Sequence, residues 1–369
     1  MLTIDWFLPT GGDSRDVLPE GHDAHWRPPS TEYLAQIAQA CDQLGYEALL
    51  TPCGTGCEDA WLATAPLIPR TERIKFLVAF RPGFLSPTLA AQMASTYQRM
   101  SDGRLLINIV TGAEPRELNR FGDWLDKDSR YARTAEFLQI MSHAWTGEPY
   151  DFTGEYYEVA GASTREPPAP PPPIYFGGAS PAALDVAAQH VDVYLTWGEP
   201  PAMAAERIAV VREKAAEHGR TLRYGIRFHV ITRPTAEEAW AVANHMLDGI
   251  DDEAIAAAQA DFASTMSEGQ RRMAELHSGS RDHLEIHPNV WAGIGLVRGG
   301  AGTALVGSHD EVADRIEEYA DLGFDEFILS GYPHLEEAFW FGEGVMPVLR
   351  RRGLLAESGE RSGAVFSFR

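Results

Sequence analysis

Arg227 and His229 stand two residues apart in an otherwise apolar run, Tyr-Gly-Ile-Arg-Phe-His-Val-Ile-Thr-Arg, from 224 to 233. The run predicts a strand, and on a strand residues i and i+2 face the same way. Arg227 and His229 then share one face, while Ile226, Phe228 and Val230 share the other and suit packing against helices. A buried guanidinium without a partner is costly, so the face carrying Arg227 needs a wet or ligand-filled interior. A core carboxylate beside a satisfied histidine would meet that need. So would an anion site with an adjacent proton acceptor. Arg298, in a glycine-rich stretch, is a second candidate for holding an anion.

Other residues could line such an interior. Asn108 sits between Ile107 and Ile109 in an apolar segment, so its amide points the opposite way and needs a hydrogen-bonding partner, structural or bound. Phe176-Gly177-Gly178-Ala179-Ser180-Pro181 reads as a strand, a tight turn and a helix start, with Ser180 as N-cap and Pro181 at the first helical position. Free backbone N–H groups there suit a phosphate, although plain helix capping produces the same pattern. Cys57, before Glu58-Asp59-Ala60-Trp61, has no histidine pattern near it, and a polar contact in a cofactor pocket fits it better than a nucleophile. His22, His25, His283 and His287 lack metal-ligand spacing and read as solvent-facing, so no metal site is expected.

The elements that must position these residues alternate. Strands are expected at 3–8, 48–51, 74–80, 104–110, 174–176, 191–196, 224–233 and 326–330. Helices are expected at 31–44, 58–68, 87–100, 129–145, 181–189, 201–218, 236–247, 310–322 and 335–349. Strand–helix alternation indicates βαβ units and a parallel sheet, and eight such strands are what a TIM barrel requires. The expected organisation is one α/β TIM-barrel domain over 1–350 with a C-terminal tail, 351–369. A small hairpin is expected at 150–157. The proline run at 167–173 reads as a stiff segment within that domain rather than a linker. An inserted segment, about 251–307, is helical to 287 and then glycine-rich, with six glycines between 293 and 307. It is expected to be a mobile lid. In a TIM barrel the active site lies where strands end, which selects Thr10, Cys57, Arg81, Asn108, Thr111, Gly177 to Ser180, Trp197, Arg227, His229 and Tyr332.

Composition narrows the partners. The chain has 369 residues and a formal net charge of -22, which argues against nucleic acid or an anionic membrane. No stretch approaches the length of a membrane span. Three cysteines are too few for a disulfide framework, and the start lacks the pattern of a signal peptide, so a reducing cytoplasm is expected.

Several ordered segments resemble the alkanesulfonate monooxygenases that use reduced FMN, within the bacterial-luciferase-like superfamily. They are Trp6-Phe7-Leu8-Pro9-Thr10, Cys57-Glu58-Asp59-Ala60-Trp61, Lys75-Phe76-Leu77-Val78-Ala79, Val110-Thr111-Gly112, Tyr175-Phe176-Gly177-Gly178 and Tyr194-Leu195-Thr196-Trp197-Gly198-Glu199-Pro200. Gly225-Ile226-Arg227, Gly295-Leu296-Val297-Arg298-Gly299-Gly300-Ala301-Gly302 and Leu329-Ser330-Gly331-Tyr332-Pro333-His334-Leu335-Glu336-Glu337 complete the set. The resemblance implies a two-component enzyme. A separate NAD(P)H-dependent FMN reductase supplies FMNH2, and O2 is used to cleave the C–S bond of an organosulfonate, giving an aldehyde and sulfite. It implies Arg227, His229 and Tyr332 as catalytic residues and Trp197, Arg298 and Cys57 as substrate contacts. Asn108, Thr111, Tyr131, Gly177, Gly178 and Ser180 fall on the flavin side, and a homodimer or homotetramer is expected. Two features depart from the pattern: Gly11 stands where the family usually has a histidine, and the following loop, 14–29, differs. Both bear on which sulfonate is taken. A deazaflavin (F420)-dependent oxidoreductase and a non-catalytic flavin-binding protein are the competing readings.

Overall fold

The computed structural model describes residues 1–18 and 25–356; His22 and the tail from 357 lie outside the described residues. Eight parallel strands close a barrel: β1 (Thr3–Phe7), β2 (Ala48–Thr51), β3 (Lys75–Phe80), β4 (Leu105–Ile109), then, after the antiparallel hairpin β5 (Tyr150–Thr153) and β6 (Glu158–Ala162), β7 (Ile174–Gly177), β8 (Val193–Trp197), β9 (Arg223–Arg233) and, beyond the insertion, the strand Glu326–Ser330. Three short strands precede that last one, β10 (Glu285–His287), β11 (Val290–Trp291) and β12 (Ala304–Ser308), which makes it β13. Closure comes from β13 pairing with both β1 and β9. This is the α/β TIM-barrel fold.

The helices are α1 (Thr31–Leu44), α2 (Ala60–Thr64), α3 (Pro87–Ser101), α4 (Pro115–Arg120), α5 (Lys127–Ala144), α6 (Pro181–His190), α7 (Pro201–Glu217), α8 (Ala236–Asp248), α9 (Asp252–Ala263), α10 (Glu268–His277), α11 (His309–Asp321) and α12 (His334–Arg351). The helix expected over 58–68 is broken. It stops at Thr64 and passes into a 3-10 turn, Ala65–Arg70, because Pro66 and Pro69 remove backbone donors that a continuous α-helix needs. A further short helix, α4, begins at Pro115 inside the expected loop after β4. The hairpin runs to Ala162 rather than 157.

Side-chain alternation fills both sides of the wall. Outward residues such as Trp6, Phe76, Phe228 and Phe327 pack under the helices in one large core. Inward residues Phe7, Ala48, Leu50, Leu77, Leu106, Tyr175, Val193 and Ile328 form a separate cluster inside the barrel. The strand β9 is unusually long at 11 residues. Its first half pairs with β8 through Trp197↔Arg227, and on the same edge its second half pairs with β12 from His229↔Ala304 to Arg233↔Ser308. The glycine-rich stretch is therefore not an open loop from end to end. It holds a 3-10 turn at Gly293–Leu296 and then a strand that extends the sheet.

Below the inner cluster lie two buried carboxyls. Glu326 pairs with Arg223 at 2.8 Å, and Asp5 faces Glu326 with neither carboxyl oxygen hydrogen-bonded in the geometry present. Burial, followed by the negative charge of Glu326, pushes the Asp5 carboxyl well above its ordinary range, so it is held protonated. A carboxyl whose folded pKa exceeds its unfolded value costs stability as pH rises past the unfolded value, near 3.8. Asp5→Asn removes that cost and keeps a donor toward Glu326. The variant is expected to melt higher than the wild type at pH 8, by roughly 2–4 °C for each ~1 kcal/mol recovered, and the gap should close toward pH 4. Thermal unfolding followed by circular dichroism across pH 4–8 checks this.

Candidate active site

A cavity of about 350 Å³ opens at the C-terminal ends of the barrel strands, within the usual size of a small-molecule site. Its wall includes eight of the twelve residues expected at the site: Arg227, Trp197, Asn108, Thr111, Tyr131, Gly177, Gly178 and Ser180. Asn108 is the one residue of β4 that is not fully buried, as its inward direction requires. The other four expected residues are not on this wall. Cys57 lies in the loop after β2, its thiol donating to the Gly54 carbonyl at 3.5 Å, while Cys53 reaches the cavity. Burial pushes the Cys53 thiol up to about 11, and that of Cys57 upward as well, so neither is a ready thiolate. His229, Tyr332 and Arg298 are not on the cavity wall, though Arg298 and Tyr332 lie near enough to Arg227 to act on its charge.

Arg227 is half-buried on the cavity wall, with almost no compensation from the protein around it. Its Nη2 donates to Ser330 Oγ at a long 3.5 Å, its Nε has no partner, and its guanidinium lies over the Phe7 ring at 4.3 Å. Among the described residues no carboxylate pairs with it. Burial, reinforced by the like charge of Arg298, pulls the guanidinium down to about 9. Such a group is a preformed receptor for an anion.

His229 is fully enclosed. Its ring stacks on Tyr332 with centroids 5.4 Å apart, Nε2 lies 3.1 Å from the Ala301 carbonyl, and Nδ1 lies 2.9 Å from Ser330 Oγ. Burial first, and then Arg298, Arg227 and His334, push the imidazole well below its ordinary value, so it is neutral. Its acceptor nitrogen, however, is already engaged. His334, which the sequence reading left out, donates from Nδ1 to Asp13 at 2.8 Å, and its ring lies 5.5 Å from Phe7. Asp13 also accepts from the backbone N–H of His334 at 2.8 Å and from the Tyr33 hydroxyl, which fixes the loop after β1 against α12.

The cavity wall also gathers hydroxyls, a helix N-terminus and two cationic side chains, groups of the kind that suit a phosphate. Ser180 caps α6 without a side-chain hydrogen bond, and its Oγ, with the hydroxyls of Thr111 and Thr196, is buried without a partner. The first N–H groups of α6 have no intrahelical acceptor. Tyr131 lies beside Ser180, and Lys127 and Arg207 line the same wall. The Gly177-Gly178 turn is tight: a Cβ on Gly178 would come within 2.7 Å of Ala183, and Tyr194 donates to the Gly178 carbonyl at 2.7 Å. Lys127, Arg207 and Thr196 carry no signal in the sequence beyond their positions near strand or helix ends.

The helical insertion covers the cavity. Met266 to Gly269 line its wall, and Gly269 lies so close to the Trp197 ring that a Cβ there would be 3.0 Å from it. The helix α10 is tied down by Arg272, which pairs with both carboxylate oxygens of buried Glu199, by Gln270 accepting from Gly300 N–H at 2.8 Å, and by Met266 N–H donating to Ala113 at 3.1 Å. Among the described residues no group of three His, Cys, Asp or Glu could hold a metal ion, and no helix is long and apolar enough to cross a membrane.

The mouth of the barrel thus carries an arginine without a carboxylate partner, and unpartnered hydroxyls beside the start of a helix. Residues 2–326 match the model of the luciferase-like monooxygenase family, and the chain belongs to that family. Solved structures agree in fold. A riboflavin lyase, solved with modified FMN and riboflavin, is 21% identical with a TM-score of 0.80 over 96% of this chain and 93% of its own. A long-chain alkane monooxygenase is 20% identical with a TM-score of 0.79, covering 98% and 94%. The DmoA protein of Hyphomicrobium sulfonivorans is 21% identical with a TM-score of 0.78, covering 96% and 89%.

The Glu199–Arg272 pair generates a prediction. Removing one member of a buried pair leaves the other charge stranded, at about 3–5 kcal/mol. Arg272→Ala should therefore open α10 locally, raising amide exchange over 268–277 by at least about 100-fold, with the barrel strands unchanged. Hydrogen exchange read by mass spectrometry checks this.

Proposed function

We propose that this chain is the oxygenating component of a two-component system: an FMNH2-dependent alkanesulfonate monooxygenase that cleaves the C–S bond of an organosulfonate. The observation that carries the reading is Arg227, a half-buried cation on the cavity wall with no carboxylate partner among the described residues and a second arginine, Arg298, close enough to depress it. A sulfonate is a trigonal, weakly basic anion whose oxygens match the planar fork of a guanidinium. The stoichiometry is R–CH2–SO3⁻ + O2 + FMNH2 giving R–CHO, SO3²⁻, FMN, water and one proton.

The residues present fit FMN. Ser180, Thr111 and Thr196 offer unpartnered hydroxyls, α6 offers free N–H groups, and Lys127 and Arg207 offer charge for the phosphate, while Asn108, Tyr131 and the turn at Gly177 and Gly178 border the ring. Reduced flavin, when bound, supplies the two electrons that activate O2. The chain's own groups do the rest. Arg227 and Arg298 hold the sulfonate, Trp197 and Phe7 provide the apolar wall, and Met266 to Gly269 of the insertion exclude water. Tyr332 and His229 back the anion site, and Cys57 sits in the loop bordering the substrate side. The insertion opens and closes as the lid. A separate NAD(P)H-dependent FMN reductase delivers the flavin, and the oxygenase works as a homodimer or homotetramer in the cytoplasm.

Sulfite release with FMNH2, O2 and a panel of alkanesulfonates tests the reading, and a chain that releases none from any member is not this enzyme. Titration with FMNH2 and F420H2 separates it from the deazaflavin reading. Arg227→Ala should lower sulfite release about 10- to 150-fold, the worth of a charge-assisted hydrogen bond of roughly 1.5–3 kcal/mol. Arg227→Lys should recover only part. An unmodified rate in Arg227→Ala at saturating substrate would remove the arginine from the mechanism.

A further inference from the structure

The hydrogen bonds around His229 have a definite direction. A carbonyl can only accept, so the contact of 3.1 Å between Nε2 and the Ala301 oxygen places the proton on Nε2. In the neutral ring Nδ1 is then the acceptor, and the Ser330 hydroxyl, 2.9 Å away, must be its donor. With its proton committed to His229, Ser330 offers a lone pair to Arg227 Nη2 at 3.5 Å. The chain of donors thus runs from Arg227 to Ser330 to His229 to Ala301. Every link follows from the one carbonyl at its end.

That carbonyl belongs to the segment that carries Arg298. Ala301 is buried, Gly302 packs so tightly on Gly295 that a Cβ would approach within 2.5 Å, and Gly300 takes a φ of 87°, open chiefly to glycine. The backbone N–H of His229 donates to the Thr303 carbonyl at 2.9 Å, so main chain and side chain of one residue grip both 301 and 303. From the other side Gln270 of the insertion accepts from Gly300 N–H. Between these holds sits Arg298, half-exposed, its Nη1 bonded to the Gly299 carbonyl at 3.1 Å.

We propose that His229 is a positioning residue rather than the proton acceptor of the site: the Ala301 carbonyl fixes its tautomer, Ser330 satisfies the remaining Nδ1 lone pair, and the Nε2–H clamps the Ala301 carbonyl so that the 298–303 segment presents Arg298 beside Arg227. The inference rests on Arg227 and Arg298 forming an anion site, and it assigns Ser330 a part that the reading of the site had not given it. The charged and titratable groups facing His229 agree. Arg227, Arg298 and His334 all disfavour a further positive charge there, and protonating Nδ1 would break the bond from Ser330.

The test uses the whole protein without substrate. In protein labelled with 15N-histidine, the His229 signals, identified by their loss in His229→Gln, should show the Nε2–H tautomer and stay constant from pH 5.5 to 8.5. Amide exchange over 298–303 should rise at least about 10-fold in His229→Leu, the scale of one buried hydrogen bond. His229→Gln, which keeps a donor near the Nε2 position and cannot titrate, should restore most of the protection. Ser330→Ala should keep the Nε2–H tautomer, which the Ala301 carbonyl dictates, and move only the Nδ1 resonance, whose donor is lost. A His229 signal that titrates in that range, His229→Leu exchanging at the wild-type rate, or His229→Gln no better than His229→Leu would each overturn the proposal. Sulfite plays no part in these readouts, so a chain that turns over a different anion leaves their meaning intact.

Discussion

An arginine facing the barrel cavity with no carboxylate beside it sets the terms for this molecule. From the protein Arg227 receives only one long hydrogen bond and the face of Phe7, and its Nε is buried without a partner. The fold tolerates it because the strand that carries it is clamped along both edges, by β13 on one side and by β8 and then β12 on the other. The charge elsewhere in the lumen is handled differently. Glu326 has Arg223, and Asp5 surrenders its charge by keeping its proton. At Arg227, by contrast, no carboxylate among the described residues takes up the charge.

The length of β9 joins the site to its cover. Up to Arg227 the strand is barrel wall, and from His229 onward it becomes the support for β12 and the segment before it. Arg298 therefore depends on the register of a strand that also carries Arg227. The insertion is attached to the same segment from above through Gln270 and to the rim through Arg272 and Glu199. Ligand contacts from the barrel and ligand contacts from the insertion are coupled by backbone and side-chain hydrogen bonds rather than by loose apposition.

Much of this was legible in the sequence. All eight barrel strands show as short apolar runs, because parallel strands buried on both faces have little choice of residue. The side of β9 that carries Arg227 and His229 follows from parity alone. Other features were hidden for local reasons. The strand Ala304–Ser308 is five residues long and adjoins glycines, so its composition resembles the loop around it. The 3-10 turn at Ala65–Arg70 depends on two prolines inside an otherwise helical pattern. Ser330, Lys127 and Arg207 are ordinary polar residues in sequence. Their meaning comes from what the barrel brings opposite them: an imidazole lone pair for Ser330, an unfilled rim for the other two. Cys57 has the more suggestive neighbours, yet Cys53 reaches the cavity, since only its place at the end of β2 faces inward.

The turn after β1 has a bearing on any attempt to redesign this protein. At Gly11 a Cβ would stand 2.8 Å from the Gly56 carbonyl, and at Gly12, with φ of 100°, it would run into the Trp26 ring at 2.1 Å. Saturation mutagenesis at 11 and 12 would thus mostly sample misfolded backbone rather than altered selectivity. The usable diversity lies one layer out. Trp26 and Val17 ride on a loop whose ends are pinned by Asp13 and Arg27, which bridge each other through their backbones and reach α12 through His334 and Glu336. A library that keeps those two anchors leaves the ties between this segment and α12 in place.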